Sequence, residues 1–104
     1  MRIARAITSF TRTEIQQLFA RAYYLFSDTT MTIKRAPKAQ EIGRVLIVVP
    51  KRVGNAPTRN TIKRRVRAIF YQNQLYERGN DYLIFFKANP LSFAYLKEKL
   101  CTLL

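Results

Sequence analysis

The stretch RNTIKRRVRAIF, Arg59 to Phe70, constrains the fold more than any other part of the chain. Four of its apolar residues recur at the spacing of one helical face: Ile62, Val66, Ile69 and Phe70. Such a face needs a core to pack against. The same stretch carries five Lys and Arg residues and no acidic residue to pair with them. It therefore predicts a helix that is anchored on its apolar side and presents cations on the other side.

The cations of this helix are predicted to sort onto its faces. Arg59, Lys63 and Arg67 step along one edge, four residues apart, and Asn60 and Arg64 lie beside them. Four residues rise about 6 Å along a helix axis, so each cation can contact its own phosphate on a nucleic acid backbone. The alternative is a merely solvated helix, but solvated helices normally mix both signs of charge. The pattern therefore favours a polyanionic partner.

The overall charge points the same way. The chain has 104 residues, enough for one compact domain and too few for two, and its formal net charge is +13. So large an imbalance costs stability through self-repulsion unless a partner neutralises it. The partner could be nucleic acid, an anionic membrane or an acidic protein, but the segment 44–76 carries eight basic residues and no acidic one. We expect one globular domain over residues 1–104 that binds a polyanion, with residues 1–10 as a disordered basic arm.

Local signals predict the other elements. Thr11 and Glu14 form a capping box, and apolar residues at helical spacing then continue to Phe26. Strands are predicted at 30–35, 44–49 and 82–87, and further helices from Pro57 to Gln74 or Tyr76 and from Asn89 or Ser92 onward. Strand 44–49 is nearly continuously apolar, which indicates burial on both faces. The order α-β-β-α-β-α predicts an α+β fold, a two-layer α-β sandwich.

The residue types argue against a self-sufficient catalyst. The chain has no histidine, one cysteine (Cys101) and six carboxylates scattered singly. An acid-base nuclease needs histidines, and a metal-dependent one needs clustered carboxylates. The apolar runs stop at about five residues, far short of a membrane span. We expect a binding protein of a reducing compartment, with no catalytic residue and no metal ligand of its own.

The segment 44–70, RVLIVVPKRVGNAPTRNTIKRRVRAIF, resembles the signature of the protein subunit of bacterial ribonuclease P. In that family a strand of the form R-V-G-L-S-V-S-K-K leads through a G-x-A loop to R-N-R-x-K-R-x-x-R. The first predicted helix, with EIQQLF, is similar to the family's opening, and DYLIFFKANP is similar to its D-x-x-x-x-A-R strand. The resemblance therefore extends over nearly the whole chain.

The resemblance implies an α-β-β-β-α-β-α sandwich with a left-handed β-α-β crossover, against the general right-handed rule. The additional strand is expected near Pro50. It also implies a cytoplasmic ribonucleoprotein that removes the 5′ leader from precursor tRNA. The catalytic RNA subunit would perform the hydrolysis with Mg²⁺ held through RNA, and one protein monomer would bind one RNA. This division of labour would account for the missing acid-base residues.

The resemblance also assigns site residues by position. Those facing the RNA subunit are Lys51, Arg52, Arg59, Asn60, Lys63, Arg64 and Arg67. Those lining a cleft for the single-stranded leader are Ile15, Phe19, Lys34, Val48 and Pro50. Thr61 stands where the family has the second Arg of R-N-R, so that phosphate contact is expected to be lost or moved to Arg65. With Ile15, Lys34 and Pro50 also departing from the family pattern, Phe19 is the best candidate for base stacking.

Two other hypotheses compete with this one. A small basic ribosomal or general RNA-binding protein would share the charge but would have no leader cleft. A DNA-binding module would insert the basic helix into a major groove and would need that helix exposed on several sides. The apolar stripe of the helix argues that one side is packed.

Overall fold

The structure, a computed structural model, describes residues 3–90 and 92–104. Its helices are α1 (Ile3–Ala6), α2 (Arg12–Arg21), α3 (Ala56–Gln72) and α4 (Phe93–Leu103). Its strands are β1 (Tyr23–Ser27), β2 (Met31–Pro37), β3 (Val45–Val48) and β4 (Asn80–Phe86). Two short 3-10 turns, Lys51–Val53 and Leu75–Glu77, flank α3. The α+β class is confirmed, and the order of elements is the α-β-β-β-α-β-α that the resemblance implies, preceded by the short α1.

The four strands form one mixed sheet in the order β1-β2-β4-β3. β1 pairs with β2 and β2 with β4 in antiparallel fashion, whereas β3 and β4 are parallel. Parallel neighbours need a long crossover connection, and α3 supplies it between β3 and β4. The left-handed sense of this crossover, which the resemblance implies, remains a prediction.

The main core lies between one face of the sheet and helices α3 and α4. The four apolar residues of the α3 stripe are all at most 2% exposed, as the sequence predicted. They meet alternate residues of the strands, such as Ile33, Ile84 and Phe86. Phe70 contacts Tyr82 edge-on, with ring centroids 6.1 Å apart. This burial fixes the rotation of α3, so the faces that carry its cations lie outside the core.

The opposite face of the sheet is only partly covered. Leu18 of α2 packs there against Ala36 and Leu83, and Leu46 and Val48 border this smaller cluster. Val45 belongs to the main core on the other face, so β3 contributes to both, as its continuous apolar run indicated. Since α2 ends at Arg21, the rest of this face stays open.

The predicted extension of the first helix to Phe26 is wrong. The capping box of Thr11 and Glu14 is present, but the helix ends at Arg21 and Ala22 is already extended, with φ −75° and ψ 142°. Residues 23–27 form β1 instead, because Tyr24 and Phe26 pair with Lys34 and Ile33 of β2. The additional strand implied by the resemblance is thus β1, and the segment after Pro50 is a 3-10 turn.

Several other boundaries differ from the predictions by one or more residues. α3 ends at Gln72, because Gln74 takes a left-handed φ of 54° and the chain turns there. β4 begins at Asn80 rather than at Tyr82, because Asn80 and Asp81 already pair with Pro37 and Ala36 of β2. Both differences arise from contacts outside the local pattern.

The N-terminal segment is docked on the domain. Ile7 is fully buried in the main core, and its carbonyl oxygen accepts a hydrogen bond of 2.7 Å from the Val45 amide. The Arg44 guanidinium donates to the Ser9 carbonyl oxygen at 2.8 Å. The expected disordered arm is therefore wrong for residues 5–10, while Arg2 lies outside the described residues.

A buried carboxylate joins several elements near the end of α2. Asp81 is fully buried and accepts hydrogen bonds from the Arg21 guanidinium, 3.1 Å, and from the amides of Ala39 and Arg44. Gly43 lies in the same corner, where a Cβ atom would come within 2.2 Å of the Asn80 carbonyl oxygen. These contacts tie the β2–β3 loop to β4 and to α2.

Candidate nucleic-acid interface

Helix α3 begins with defined caps. Asn55 is the N-cap, and its side-chain oxygen accepts a hydrogen bond of 3.0 Å from the Thr58 amide. Pro57 lies in the first turn, where a missing amide hydrogen costs nothing. The preceding 3-10 turn, Lys51–Val53, brings two further cations to the start of this helix. The polar and turn residues between β3 and α3 thus position the basic face.

The structure places the predicted cations of α3 on the outside of the molecule. Lys63, Arg64 and Arg67 are exposed, together with Asn60. Arg59 is half-buried, and its Nε atom is buried without a hydrogen-bond partner. Lys51 and Arg52 are exposed in the turn before the helix. We call the exposed α3 residues Asn60, Lys63, Arg64 and Arg67, together with Arg59, the basic face.

Acidic side chains do not neutralise the basic face. Within the described ranges the ion pairs are Arg21 with Asp81, at 3.1 Å, and Arg44 with Glu14, at 3.0 Å. Neither pair involves a residue of α3. A row of unpaired cations on one side of a rigid helix is the arrangement that a phosphate backbone requires.

Part of the basic face borders the open edge of the sheet. Lys63 and Arg67 line a cavity of about 200 Å³ together with Thr8, Leu46 and Ile47. β3 is the edge strand here, so the helix and the strand form the two walls of the cavity. The edge of the sheet therefore lies within reach of any ligand that binds Lys63 and Arg67.

A second surface, which we call the groove, crosses the open face of the sheet and encloses about 340 Å³. Its lining residues are Phe19, Tyr24, Thr32, Lys34, Arg52, Leu83, Phe85 and Lys87. Phe19 is 50% exposed and Tyr24 is 70% exposed. Aromatic rings and cations together line the groove, a combination suited to stacking bases and binding their phosphates.

Cations lie over two of the aromatic rings of the groove. The Lys34 ammonium is 4.8 Å from the Tyr24 ring centroid, and the Arg52 guanidinium is 5.8 Å from that of Phe85. Such cation–π contacts hold long side chains close to the sheet and keep positive charge in the groove. The groove is thus both aromatic and electropositive.

The predicted cleft residues are only partly brought together. Phe19 and Lys34 line the groove, and the exposure of Phe19 shows that it is not a core residue. Val48 packs instead against the cluster under α2, and Ile15 is half-buried on that helix. Pro50 caps the 3-10 turn that follows β3. These last three do not belong to the residues that line the groove.

Sequence reasoning missed five of the groove residues and assigned Arg52 to the other surface. The missed residues are Tyr24, Thr32, Leu83, Phe85 and Lys87. Thr32 and Lys34 alternate with the core residues Met31 and Ile33, and this period of two was a signal for their shared face. Tyr24 had no such signal, because the apolar residues around it continue the helical spacing of α2 as far as Phe26.

Among residues 3–90 and 92–104, no three side chains of the types His, Cys, Asp or Glu come together as metal ligands. None of the helices in the described part of the chain combines the length and the apolar content that a membrane span requires. The Glu14 carboxylate is engaged in the fold: the hydrogen bond from the Thr11 amide, ahead of those from Arg44, lowers its pKa.

The family model of ribonuclease P matches residues 5–104 of the chain. The chain belongs to the ribonuclease P protein family. The match covers nearly the whole sequence, including the basic face and the strands under the groove. A small ribosomal protein, the alternative weighed from the sequence, is not favoured. No curated protein sequence matches the chain significantly.

Solved structures of bacterial ribonuclease P proteins share the fold. A mutant ribonuclease P protein of Staphylococcus aureus with defective mRNA degradation activity is 20% identical, with a TM-score of 0.79, covering 97% of this chain and 87% of its own. The ribonuclease P protein of Thermotoga maritima is 24% identical, with a TM-score of 0.77, covering 93% and 94%. At these identities the similarity establishes the fold, and the family match establishes the membership.

Proposed function

We propose that this protein is the RNA-binding subunit that helps the catalytic RNA of ribonuclease P to remove the 5′ leader from precursor tRNA. The observation that carries the proposal is the basic face of α3, which has no acidic partner among the described residues, together with an aromatic, electropositive groove on the open face of the sheet. A protein with these two surfaces can bind one RNA along the helix and a single strand across the sheet. The hydrolysis belongs to the RNA subunit.

The basic face is proposed to bind the phosphates of the RNA subunit. Lys63, Arg64 and Arg67 are exposed on a helix that the core holds rigid, so binding costs little ordering of the backbone. Thr61 does not replace the arginine of the family motif, because it is half-buried and its hydroxyl donates to the Pro57 carbonyl oxygen at 2.9 Å. Arg65 is exposed on the other edge of the helix and is the cation available to compensate.

The groove is proposed to bind the leader of precursor tRNA. Unpaired bases expose their flat faces, and Phe19 and Tyr24 offer exposed rings on which they can stack. Lys34, Arg52 and Lys87 then supply cations for the phosphates between the bases. This contact tolerates many sequences, because every base has an aromatic face.

Magnesium, which the family implies, is proposed to be held through the RNA. Each carboxylate at the centre of the fold already has partners: Asp81 holds Arg21 and two amides, and Asp28 accepts from Tyr95 and two amides. The described residues therefore do not fit a magnesium site of their own. When bound by the RNA, the ion would activate water and stabilise the developing charge. The protein is proposed to act in the cytoplasm as a monomer on one RNA.

The first prediction concerns the leader. We expect the protein to stimulate cleavage of precursor tRNA by a bacterial ribonuclease P RNA at low magnesium, and to raise the affinity for precursor tRNA over leaderless tRNA. Tyr24→Ala and Phe19→Ala should each reduce the preference for the leader by roughly 5- to 150-fold, since a stacked base contributes about 1–3 kcal/mol. Phe93→Ala, which truncates an exposed aromatic residue of α4, is the matched control. Equal affinity of the wild-type complex for both tRNAs would contradict the proposal.

A further inference from the structure

Tyr71 is an exposed aromatic residue that belongs to neither the basic face nor the groove. It lies on α3, seven residues after Arg64 and four after Arg67, so the three share one side of the helix. Its side chain is 44% exposed. The side of α3 that carries Arg64 and Arg67 therefore also presents an aromatic residue near the C-terminal end of the helix.

One face of the Tyr71 ring packs against another aromatic residue, which holds the ring in place. It stacks on Tyr76 with the centroids 6.1 Å apart and the planes 18° from parallel. Tyr76 is 8% exposed and belongs to the main core, so it is itself fixed. The chain brings Tyr76 back because Gln74 takes a φ of 54° and the 3-10 turn Leu75–Glu77 follows. A ring fixed in this way loses little freedom when a second flat group stacks on it.

The space beside the ring is lined by cations. A cavity of about 240 Å³ is bounded by Arg64, Arg67, Ala68, Tyr71 and Gln72. Ala68 lies one turn before the ring, and its small side chain leaves room there. Gln72 carries both a donor and an acceptor in its amide. The surface thus combines the flat ring of Tyr71, two guanidinium groups, and the Gln72 amide, which can form hydrogen bonds to the edge of a flat ligand.

We propose that Tyr71, Arg64 and Arg67 form a binding site for one unpaired nucleotide of the partner RNA. The base stacks on Tyr71, the two arginines bind the flanking phosphates, and Gln72 contacts the edge of the base. A base within a duplex has both faces covered, so only a bulged, looped or terminal nucleotide can enter. The inference rests on the proposed function, because it needs an RNA held along α3.

A fluorescence measurement tests the stacking directly. The chain contains no tryptophan, so Tyr71→Trp introduces a single indole at the platform. We expect its emission to be quenched when the variant is titrated with a bacterial ribonuclease P RNA, because the indole stacks on a base. Phe93→Trp, at the exposed aromatic position of α4, is the control and should change little. An unchanged Tyr71→Trp signal at saturating RNA overturns the site.

An affinity measurement separates stacking from charge. Tyr71→Phe keeps the ring and should bind the RNA within about twofold of the wild type, whereas Tyr71→Leu should bind roughly 5- to 150-fold more weakly, corresponding to about 1–3 kcal/mol. The salt dependence of Tyr71→Leu should equal that of the wild type, because no phosphate contact is removed. Arg67→Ala should instead reduce the salt slope by about 0.7–0.9.

The outcomes distinguish this inference from the proposed function. If the wild-type protein fails to bind the RNA, the proposed function itself fails. If the wild type binds and a folded Tyr71→Leu variant binds equally well, only the nucleotide site is overturned. Quenching of Tyr71→Trp by an acidic polypeptide such as poly-glutamate, but not by RNA, would overturn it in favour of a protein partner.

Discussion

At the scale of single residues, Asp28 shows how the few carboxylates of this basic chain are used. It accepts hydrogen bonds from the Tyr95 hydroxyl of α4 and from the amides of Thr30 and Met31, 2.8 and 2.9 Å away. Burial acts to raise the pKa of Asp28, but these hydrogen bonds outweigh it, so the pKa lies below its usual range. The same contact raises the pKa of Tyr95. Asp28 therefore joins the β1–β2 turn to the last helix.

This contact predicts a pH-dependent stability. Because the pKa of Asp28 is lower in the folded than in the unfolded protein, its contribution to stability is present above the unfolded pKa, about 3.9, and is lost as the pH falls through the lower folded pKa. Tyr95→Phe should lower the free energy of unfolding by about 1 kcal/mol at pH 7. The difference in unfolding free energy between the wild type and Tyr95→Phe, measured by urea unfolding, should narrow as the solution is acidified below the unfolded pKa of Asp28.

Tyr24→Phe is the control for this experiment, because the Tyr24 side chain is 70% exposed. Its free energy of unfolding should follow that of the wild type at every pH. If the difference in unfolding free energy between the wild type and Tyr95→Phe stays constant from neutral to acidic pH, the Tyr95 hydroxyl does not affect the titration of Asp28.

At the scale of elements, α3 has two faces with separate roles. Its apolar stripe fills the core, and its cations remain unpaired within the described part of the chain. The two roles are compatible because a helix separates residues four apart onto one side and their neighbours onto another. Substituting an exposed cation should therefore change RNA binding without changing the fold.

The basic face predicts a specific salt dependence. Lys63→Ala and Arg64→Ala should each weaken binding to the ribonuclease P RNA and reduce the slope of log affinity against log salt by about 0.7–0.9, one released counterion per lost phosphate contact. Lys97→Ala removes an equal charge from the exposed side of α4 and should leave the slope unchanged. Equal salt slopes for the wild type and all three variants would exclude direct phosphate contacts on α3.

At the scale of the whole molecule, the charge opposes folding of the free protein. The described chain measures only 32 × 27 × 24 Å and the net charge is +13. At about 0.01 M salt the Debye length is about 30 Å, so the repulsion acts across the entire molecule, whereas at 0.1 M it is about 10 Å. RNA that neutralises the cations should stabilise the fold for the same reason.

This repulsion predicts that sodium chloride stabilises the free protein. Raising it from about 0.01 to 0.2 M should increase Tm by several degrees, since about 1 kcal/mol shifts the Tm of a domain of this size by about 4–8 °C. Lys97→Glu lowers the net charge and should respond less to salt. A Tm that is flat or falls over this range, measured by circular dichroism, would argue that self-repulsion is negligible.

The sequence by itself determined the features that depend on neighbouring residues. Helical spacing placed Ile62 and Val66 in the core and Lys63 outside it, and Thr11 marked the start of α2. The excess of positive charge and the family signature are also properties of the chain alone. These could be predicted because a helix forms its hydrogen bonds within one segment, so its faces follow from residue spacing.

Only the tertiary structure decided which distant segments share a surface. Tyr24 lines the groove because β1 pairs with β2, and Phe85 and Arg52 reach it from β4 and from the turn after β3. The stacking of Tyr71 on Tyr76 likewise depends on the turn at Gln74. A strand takes its hydrogen-bond partners from other segments of the chain, so its neighbours in the sheet do not follow from local periodicity.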